Sequence, residues 1–276
     1  MTKTASLNIR LNPEVTNNSF VKMIAMDLDS TLLKSDKTVT DYTVEVLSQC
    51  RQSGHMVVFA TARSESECKS YIELINPHAI ITNRGAIVRI GNDIIHRTTI
   101  DVETTNNLLM YFLNHPNAGF ITAFTEKGYL VNIPADKHDP AWGEYNPDSY
   151  TDFSSGLDCD AYKITVEIFD DVTANEVLSA FPNIDVVRFT GEDWFSFANK
   201  SINKWEGIKA LAAHIGIGLE NTITFGDDYS DIEMLRECGI GVAVANAITE
   251  VKAVADIICD TNENNGVAKW INEHIL

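Results

Sequence analysis

Nowhere does the 276-residue sequence stay apolar for the roughly 20 residues that a membrane-crossing helix needs. The opening stretch, Met1 to Phe20, is polar and lacks the apolar heart of a secretory signal, so it reads as an extension or an expression remnant ahead of the folded part. Positive charge is scarce. Lys and Arg number 21 against 39 Asp and Glu, a formal net charge of −18, and no Lys/Arg cluster offers a footprint for nucleic acid or an anionic membrane. Neither partner is expected. The five cysteines, Cys50, Cys68, Cys159, Cys238 and Cys259, are odd in number and form no CxxC pair, which argues against a disulfide framework or a zinc site. Reduced, packed thiols and a cytoplasmic location are expected. No internal repeat or low-complexity tract is present.

What is present is an alternation of short apolar runs and amphipathic stretches. VKMIAM, residues 21–26, and HMVVFA, residues 55–60, read as buried strands. Between them Thr40 or Asp41 can cap a helix reaching about Ser53, with Gly54 as its stop. Ser64 and Glu67 form a capping-box pattern ahead of a helix that ends before Pro77, and Ala79 to Ile81 is a third strand leading into an Asn83-Arg84-Gly85 turn. The rhythm returns near the C-terminus, with helices predicted over 204–214, 230–237, 251–255 and 267–275, and strands at TITF (222–225), GVAVA (241–245) and 257–259. Strand and helix in strict alternation predict parallel α/β winding. Between these halves, alternating strands such as GFITAF, GYLVNI and YKITVEIF, with helices near 102–113 and 174–181, predict an inserted α+β unit. Within it, 134–160 reads as a long loop carrying Trp142, Tyr145, Tyr150 and Phe153; the loop suits either function or irregular packing, and Trp142, Tyr145 and Tyr150 can line a ligand or pack on the unit's own sheet.

Polar clusters follow four of the segments. Asp27-Leu28-Asp29-Ser30-Thr31 comes directly after the first strand, where open parallel sheets bind ligands. Its two carboxylates can face a shared ion and the backbone N–H groups around Leu28 can cradle an oxyanion, although a DxD by itself also suits a solvated turn. Thr61-Ala62-Arg63 offers either a hydroxyl for a phosphoryl oxygen or a helix-entry cap. Lys204 stands at the start of a helix, where a cation is disfavoured by the dipole and calls for a partner anion; Lys200 and Lys209 read as surface residues. Gly226-Asp227-Asp228-Tyr229-Ser230-Asp231 gathers three carboxylates that cannot converge comfortably without a cation. An ion held by Asp27 and Asp227 would relieve that repulsion, and oxygen ligands beside a phosphate favour Mg²⁺. Asp231 can alternatively serve as a helix N-terminal acid.

Taken in order, DLDSTLL, ATAR, Lys204 in NKWEGI, and GDDYSD followed by GVAVANA resemble the four motifs of the haloacid dehalogenase superfamily. The insertion and the closing NNGVAKWI resemble its Cof-type sugar-phosphatase branch, over residues 21–275. The resemblance implies a Rossmann-like parallel-sheet core at 21–85 and 191–276, an inserted α+β cap at 86–190 that sets substrate specificity, and an extension at 1–20. It implies a Mg²⁺-dependent phosphatase acting on a small phosphorylated metabolite, a sugar phosphate ahead of a cofactor phosphate. In that scheme Asp27 is the nucleophile that becomes an aspartyl-phosphate, and Asp29 is the general acid and base. Thr61 and Lys204, with the backbone at Leu28 and Ala62, hold the phosphoryl group. Asp27, Asp29 through its carbonyl, Asp227 and Asp231 surround the metal, with Arg63, Ser230 and Asn246 in support. The chain departs from the usual motifs at Ser30 and Ala62, where Gly is common, at Ser230, where Asn is common, and at Ala245 in place of Gly. A phosphomutase on the same architecture, a non-catalytic phosphometabolite-binding protein and a receiver-like signalling domain are the alternatives.

Overall fold

The structure is a computed structural model and describes residues 22–134, 149–189 and 191–276. The expected 1–20 extension lies outside the described residues, as do Trp142 and Tyr145. Two compact units emerge: the chain through Arg97 together with Asn203–Leu276, and Thr98–Ile202.

The first unit begins with β1 (Met23–Met26), α1 (Asp41–Gln52), β2 (Met56–Ala60), α2 (Lys69–Ile75) and β3 (Ala79–Thr82), followed by β4 (Ile87–Ile90) and β5 (Asp93–Arg97). The inserted unit holds α3 (Val102–Leu113), β6 (Ala118–Thr125), β7 (Gly128–Val131), β8 (Ser149–Tyr150), β9 (Ala161–Ile168), α4 (Asp171–Ala180), β10 (Ile184–Arg188) and β11 (Trp194–Asn199). The first unit resumes with α5 (Lys204–Ile215), β12 (Thr222–Gly226), α6 (Ile232–Glu237), β13 (Ile240–Ala243), α7 (Thr249–Val254), β14 (Ile257–Ile258) and α8 (Gly266–His274).

The first unit's sheet runs β14-β13-β12-β1-β2-β3-β4-β5, parallel from β14 to β3 and antiparallel at β3–β4 and β4–β5. Every residue of β1 and β2 is buried, because both faces of a parallel sheet are covered, and so these strands read as continuous apolar runs. Met23, Ile24, Val57, Phe59, Ile223 and Phe225 share one core with Trp205, Leu211 and Trp270 from the helices. Strand order reverses between β1 and β12, so the loops leaving these two strands open side by side at the switch point.

The junctions expected after residues 85 and 190 both fall later, at 97/98 and 202/203. The hairpin β4–β5 extends the first sheet beyond β3, and β11 pairs antiparallel with β9 and β10 in the second. Alternation along a hairpin shows that a strand exists but not which sheet receives it.

In the inserted unit the order is β10-β11-β9-β6-β7-β8, antiparallel except for β7–β8. Helices α3 and α4 cover Ile121, Ile164, Val166, Phe195 and Phe197, confirming a mixed α+β unit. Phe153, one of the loop aromatics, is fully buried in that core, whereas Tyr150 is exposed.

Candidate active site

Asp27 is the first residue past β1, and its N–H continues the ladder onto Phe225 O at 3.0 Å. Asp227 is the first residue past β12, the adjacent strand. Sheet pairing thus delivers two carboxylates distant in sequence to neighbouring positions. Thr61 follows β2 in the same way, with its N–H on Ile81 O at 2.9 Å.

Lys204 opens α5 behind the capping residue Asn203, whose side chain accepts the Glu206 N–H. Its side chain is 2% exposed, and Nζ donates to Asp27 Oδ1 at 2.7 Å and to Asp231 Oδ1 at 2.6 Å. The partner anion required by the sequence is therefore two carboxylates. Gly85 (φ 113°) sits against this helix start, where a Cβ would lie 2.0 Å from Asn203 O. Lys209 pairs with Glu206, and Lys200 is exposed, as surface lysines should be.

Asp231 is fully buried. Its Oδ1 is on Lys204 and its Oδ2 accepts the N–H groups of Asp227 (3.0 Å) and Asp228 (3.2 Å). With Asp228 it forms a capping box around the Tyr229–Asp231 turn, so the helix-terminal role weighed from sequence is realised. Gly226 permits this fold-back: a Cβ there would fall 2.4 Å from Asp231 Cβ. Ser230 lies within the same turn, half-buried.

Thr31 escaped the sequence reading of site residues. It is buried, and its Oγ1 donates to Asp227 Oδ1 at 2.7 Å. A hydroxyl two residues beyond the DxD was the available signal. Thr61 is also buried, and its Oγ1 accepts the Arg63 N–H at 3.1 Å, which leaves the hydroxyl proton for another acceptor. Ala62 occupies the turn between them. Leu28 is buried, and its carbonyl accepts the Leu33 N–H to close a wide loop around Asp29, Ser30 and Thr31.

Asp29 is held differently from Asp27. Arg63 grips it at two points, Nε on Oδ2 and Nη2 on Oδ1, both at 2.7 Å, and Lys37 Nζ adds a contact to Oδ1 at 2.8 Å. Burial would raise its pKa, but hydrogen bonds and charge from Arg63, then Lys37, bring it down to about 2. Asp27 moves the opposite way. Burial dominates, Lys204 opposes it, and the Asp231, Asp227 and Asp29 charges push the carboxyl well above the usual range. Burial and the Asp231 charge likewise raise Asp227 to about 7, against the Thr31 hydrogen bond and Lys204. Burial would depress Lys204, but the Asp231 and Asp27 charges overcome it and raise the ammonium.

Asp27, Asp227 and Asp231 each bring a carboxylate oxygen within 4.8 Å of the others. One ammonium faces this group, and two of the three carboxyls are raised, first by burial and further by the neighbouring carboxylate charges, so the cluster is short of positive charge. Hard oxygen donors so placed fit a divalent cation. Asp231 already has both oxygens engaged, which leaves Asp27 and Asp227 with the more available ones.

A family model described as haloacid dehalogenase-like hydrolase matches residues 24–271. The chain belongs to that family, and it is an enzyme of its phosphatase class. It is 28% identical over 262 residues to the 5-amino-6-(5-phospho-D-ribitylamino)uracil phosphatase YcsE of Bacillus subtilis (strain 168), covering 93% of this chain and 96% of that protein. A solved structure described as a HAD subclass IIB sugar phosphatase is similar with TM-score 0.79 and 25% identity, over 92% of this chain and 98% of that one. A haloacid dehalogenase-like hydrolase from Bacteroides thetaiotaomicron shares the fold at TM-score 0.81 and 22% identity, over 92% and 99% of the two chains. No helix among the described residues is long and apolar enough to cross a membrane.

Proposed function

We propose that the protein is a Mg²⁺-dependent phosphatase that cleaves a small phosphate monoester, a phosphorylated sugar or polyol first, through an aspartyl-phosphate at Asp27. The buried Asp27 carboxylate carries this reading: one oxygen is fixed by Lys204 at 2.7 Å, and the other remains for attack. The relatives' names support the substrate class, since one acts on a phosphoribityl compound and a structural neighbour is a sugar phosphatase.

Asp27 and Asp227 would hold the ion, with the Asp29 carbonyl beside them, while Asp231 stands behind and fixes Lys204. When bound, Mg²⁺ supplies charge neutralisation for the phosphoryl oxygens. Asp27 Oδ2 attacks phosphorus, and the bond to the leaving oxygen breaks as that oxygen takes a proton from Asp29. Water then attacks the aspartyl-phosphate, Asp29 accepts its proton, and inorganic phosphate leaves with the Asp27 carboxylate restored. Thr61, Lys204 and the N–H groups near Leu28 and Ala62 hold the phosphoryl oxygens. With its pKa brought down to about 2 on Arg63 and Lys37, Asp29 would be ionised at neutral pH, which suits the second step; the first requires its carboxyl to turn away from them protonated. A cytoplasmic setting belongs to the same reading, supported by five cysteines without a disulfide.

The purified protein should hydrolyse p-nitrophenyl phosphate with Mg²⁺ and lose turnover with EDTA or as Asp27→Asn. Metal-independent turnover, or full activity in Asp27→Asn, would overturn the mechanism. A panel of phosphosugars and phosphoribityl compounds measured alongside tests the substrate class.

A further inference from the structure

The loop after Asp27 contains a conformation that its sequence disfavours. Ser30 sits at φ 58°, ψ 1°, the left-handed region, where a residue with a Cβ is less stable by about 1–2 kcal/mol. The loop is closed from within by the Leu33 N–H on Leu28 O, and it is also held from outside. The Ser30 carbonyl accepts the Asn246 side-chain N–H at 2.7 Å, and the Leu33 carbonyl accepts the Asn262 side-chain N–H at 2.9 Å. The two asparagines are themselves joined, because the Asn262 backbone N–H donates to Asn246 Oδ1 at 2.9 Å. That bond orients the Asn246 amide, since its oxygen faces a backbone donor and its nitrogen therefore faces Ser30. Asn262 is 5% exposed, so its contact with Leu33 is sheltered from water. Three residues on, Asn265 Oδ1 accepts the hydroxyls of Thr40 (2.8 Å) and Thr43 (3.3 Å) at the start of α1, the helix that follows the loop.

We propose that Asn262 is a positioning residue for Asp27 and Asp29, acting with Asn246 as a brace. The pair holds the 28–33 loop at two carbonyls and keeps Ser30 left-handed, which sets the direction in which Asp29 leaves the backbone. Neither asparagine side chain is hydrogen-bonded to the Asp27 or Asp29 carboxylate, so the brace works through the loop. This gives a task to the asparagines of the GVAVANA and NENNGV segments, and it rests on the mechanism proposed above.

The test is a double-mutant cycle on the full chain between Asn246→Ala and Ser30→Gly. Glycine adopts the left-handed region without steric cost, so a loop carrying it depends less on the brace. Asn246→Ala should lower kcat on p-nitrophenyl phosphate about tenfold with KM little changed, because slight misplacement of reacting groups can cost up to about 100-fold. It should also speed amide hydrogen exchange in the 28–33 segment while β2 and β12 stay protected. Both effects should shrink in the Ser30→Gly background. Asn262→Ala should free the same segment and lower the melting temperature, since it leaves the Leu33 carbonyl buried without a donor. Unchanged exchange in 28–33, or equal losses in both backgrounds, overturns the brace. If the protein proves not to be a phosphatase, the exchange measurement still decides the brace on its own.

Discussion

Lys204 and Asp231 form an ion pair at 2.6 Å in which neither side chain is more than 2% exposed. The same ammonium serves Asp27 at 2.7 Å, so one cation stands between two buried carboxylates. Removing one partner of such a group leaves uncompensated charge. Lys204→Ala should destabilise the fold by about 3–5 kcal/mol, read as a lower urea midpoint at neutral pH. It should also abolish phosphatase turnover. An unchanged midpoint would contradict the buried pair.

The contrast between Asp29 and Asp27 gives a leaving-group prediction. Asp29→Asn should reduce turnover of an alkyl phosphate by about 10²–10⁴-fold, the range typical of a lost general acid or base. The loss should be smaller on p-nitrophenyl phosphate, whose phenolate departs without a proton. Equal losses on both substrates, from steady-state kinetics, would remove Asp29 from the proton-donating role.

Asp227 is raised to about 7 from an ordinary 3.8, and Asp27 is raised well above that same value. A carboxyl with a raised folded pKa stabilises the fold while protonated. In metal-free protein that contribution is complete below about pH 4 and is lost as pH climbs through about 7. A divalent ion at the proposed site would replace the proton, so the gain in melting temperature on adding Mg²⁺ should grow between about pH 5 and pH 8. Thermal scans in EDTA and in Mg²⁺ across that range check it. A gain independent of pH would contradict it.

Thr31 holds Asp227 by a single hydrogen bond of 2.7 Å. Thr31→Val keeps the shape and deletes the donor. Mg²⁺ affinity should fall by about 10–100-fold, the usual effect of losing a group that orients a ligand. Calorimetric titration of Mg²⁺ measures this without reference to turnover.

The charged centre was legible in the sequence because each member follows an apolar run or opens a helix, positions where sheet topology assigns meaning. Asp27, Thr61, Lys204 and Asp227 all lie where their order predicts. The strand β11 was not foreseen, and neither was the sheet to which β4–β5 belongs, since residues such as Ile87 and Phe195 alternate alike in either unit. Phe153 lies in a loop whose sequence suits either function or packing, and its burial, which decides for packing, depends on distant residues of the inserted unit. Thr31, Lys37 and Asn262 were missed for another reason. A hydroxyl, a lysine and an amide are common in loops, and only the folded chain brings them to Asp227, Asp29 and the Leu33 carbonyl.

The central position of β1 also orders events in time. It pairs with β2 on one side and with β12 on the other, and the inserted unit separates β12 from both in the chain. A ribosome making roughly 5–20 residues per second needs on the order of ten seconds or more to pass from β1 to β12. Throughout that interval β1 has an unsatisfied edge, and Asp27 has been made without Lys204. The nascent first half is thus a strand template awaiting its partner, and chains cut short before β12 should be captured by chaperones or aggregate instead of folding.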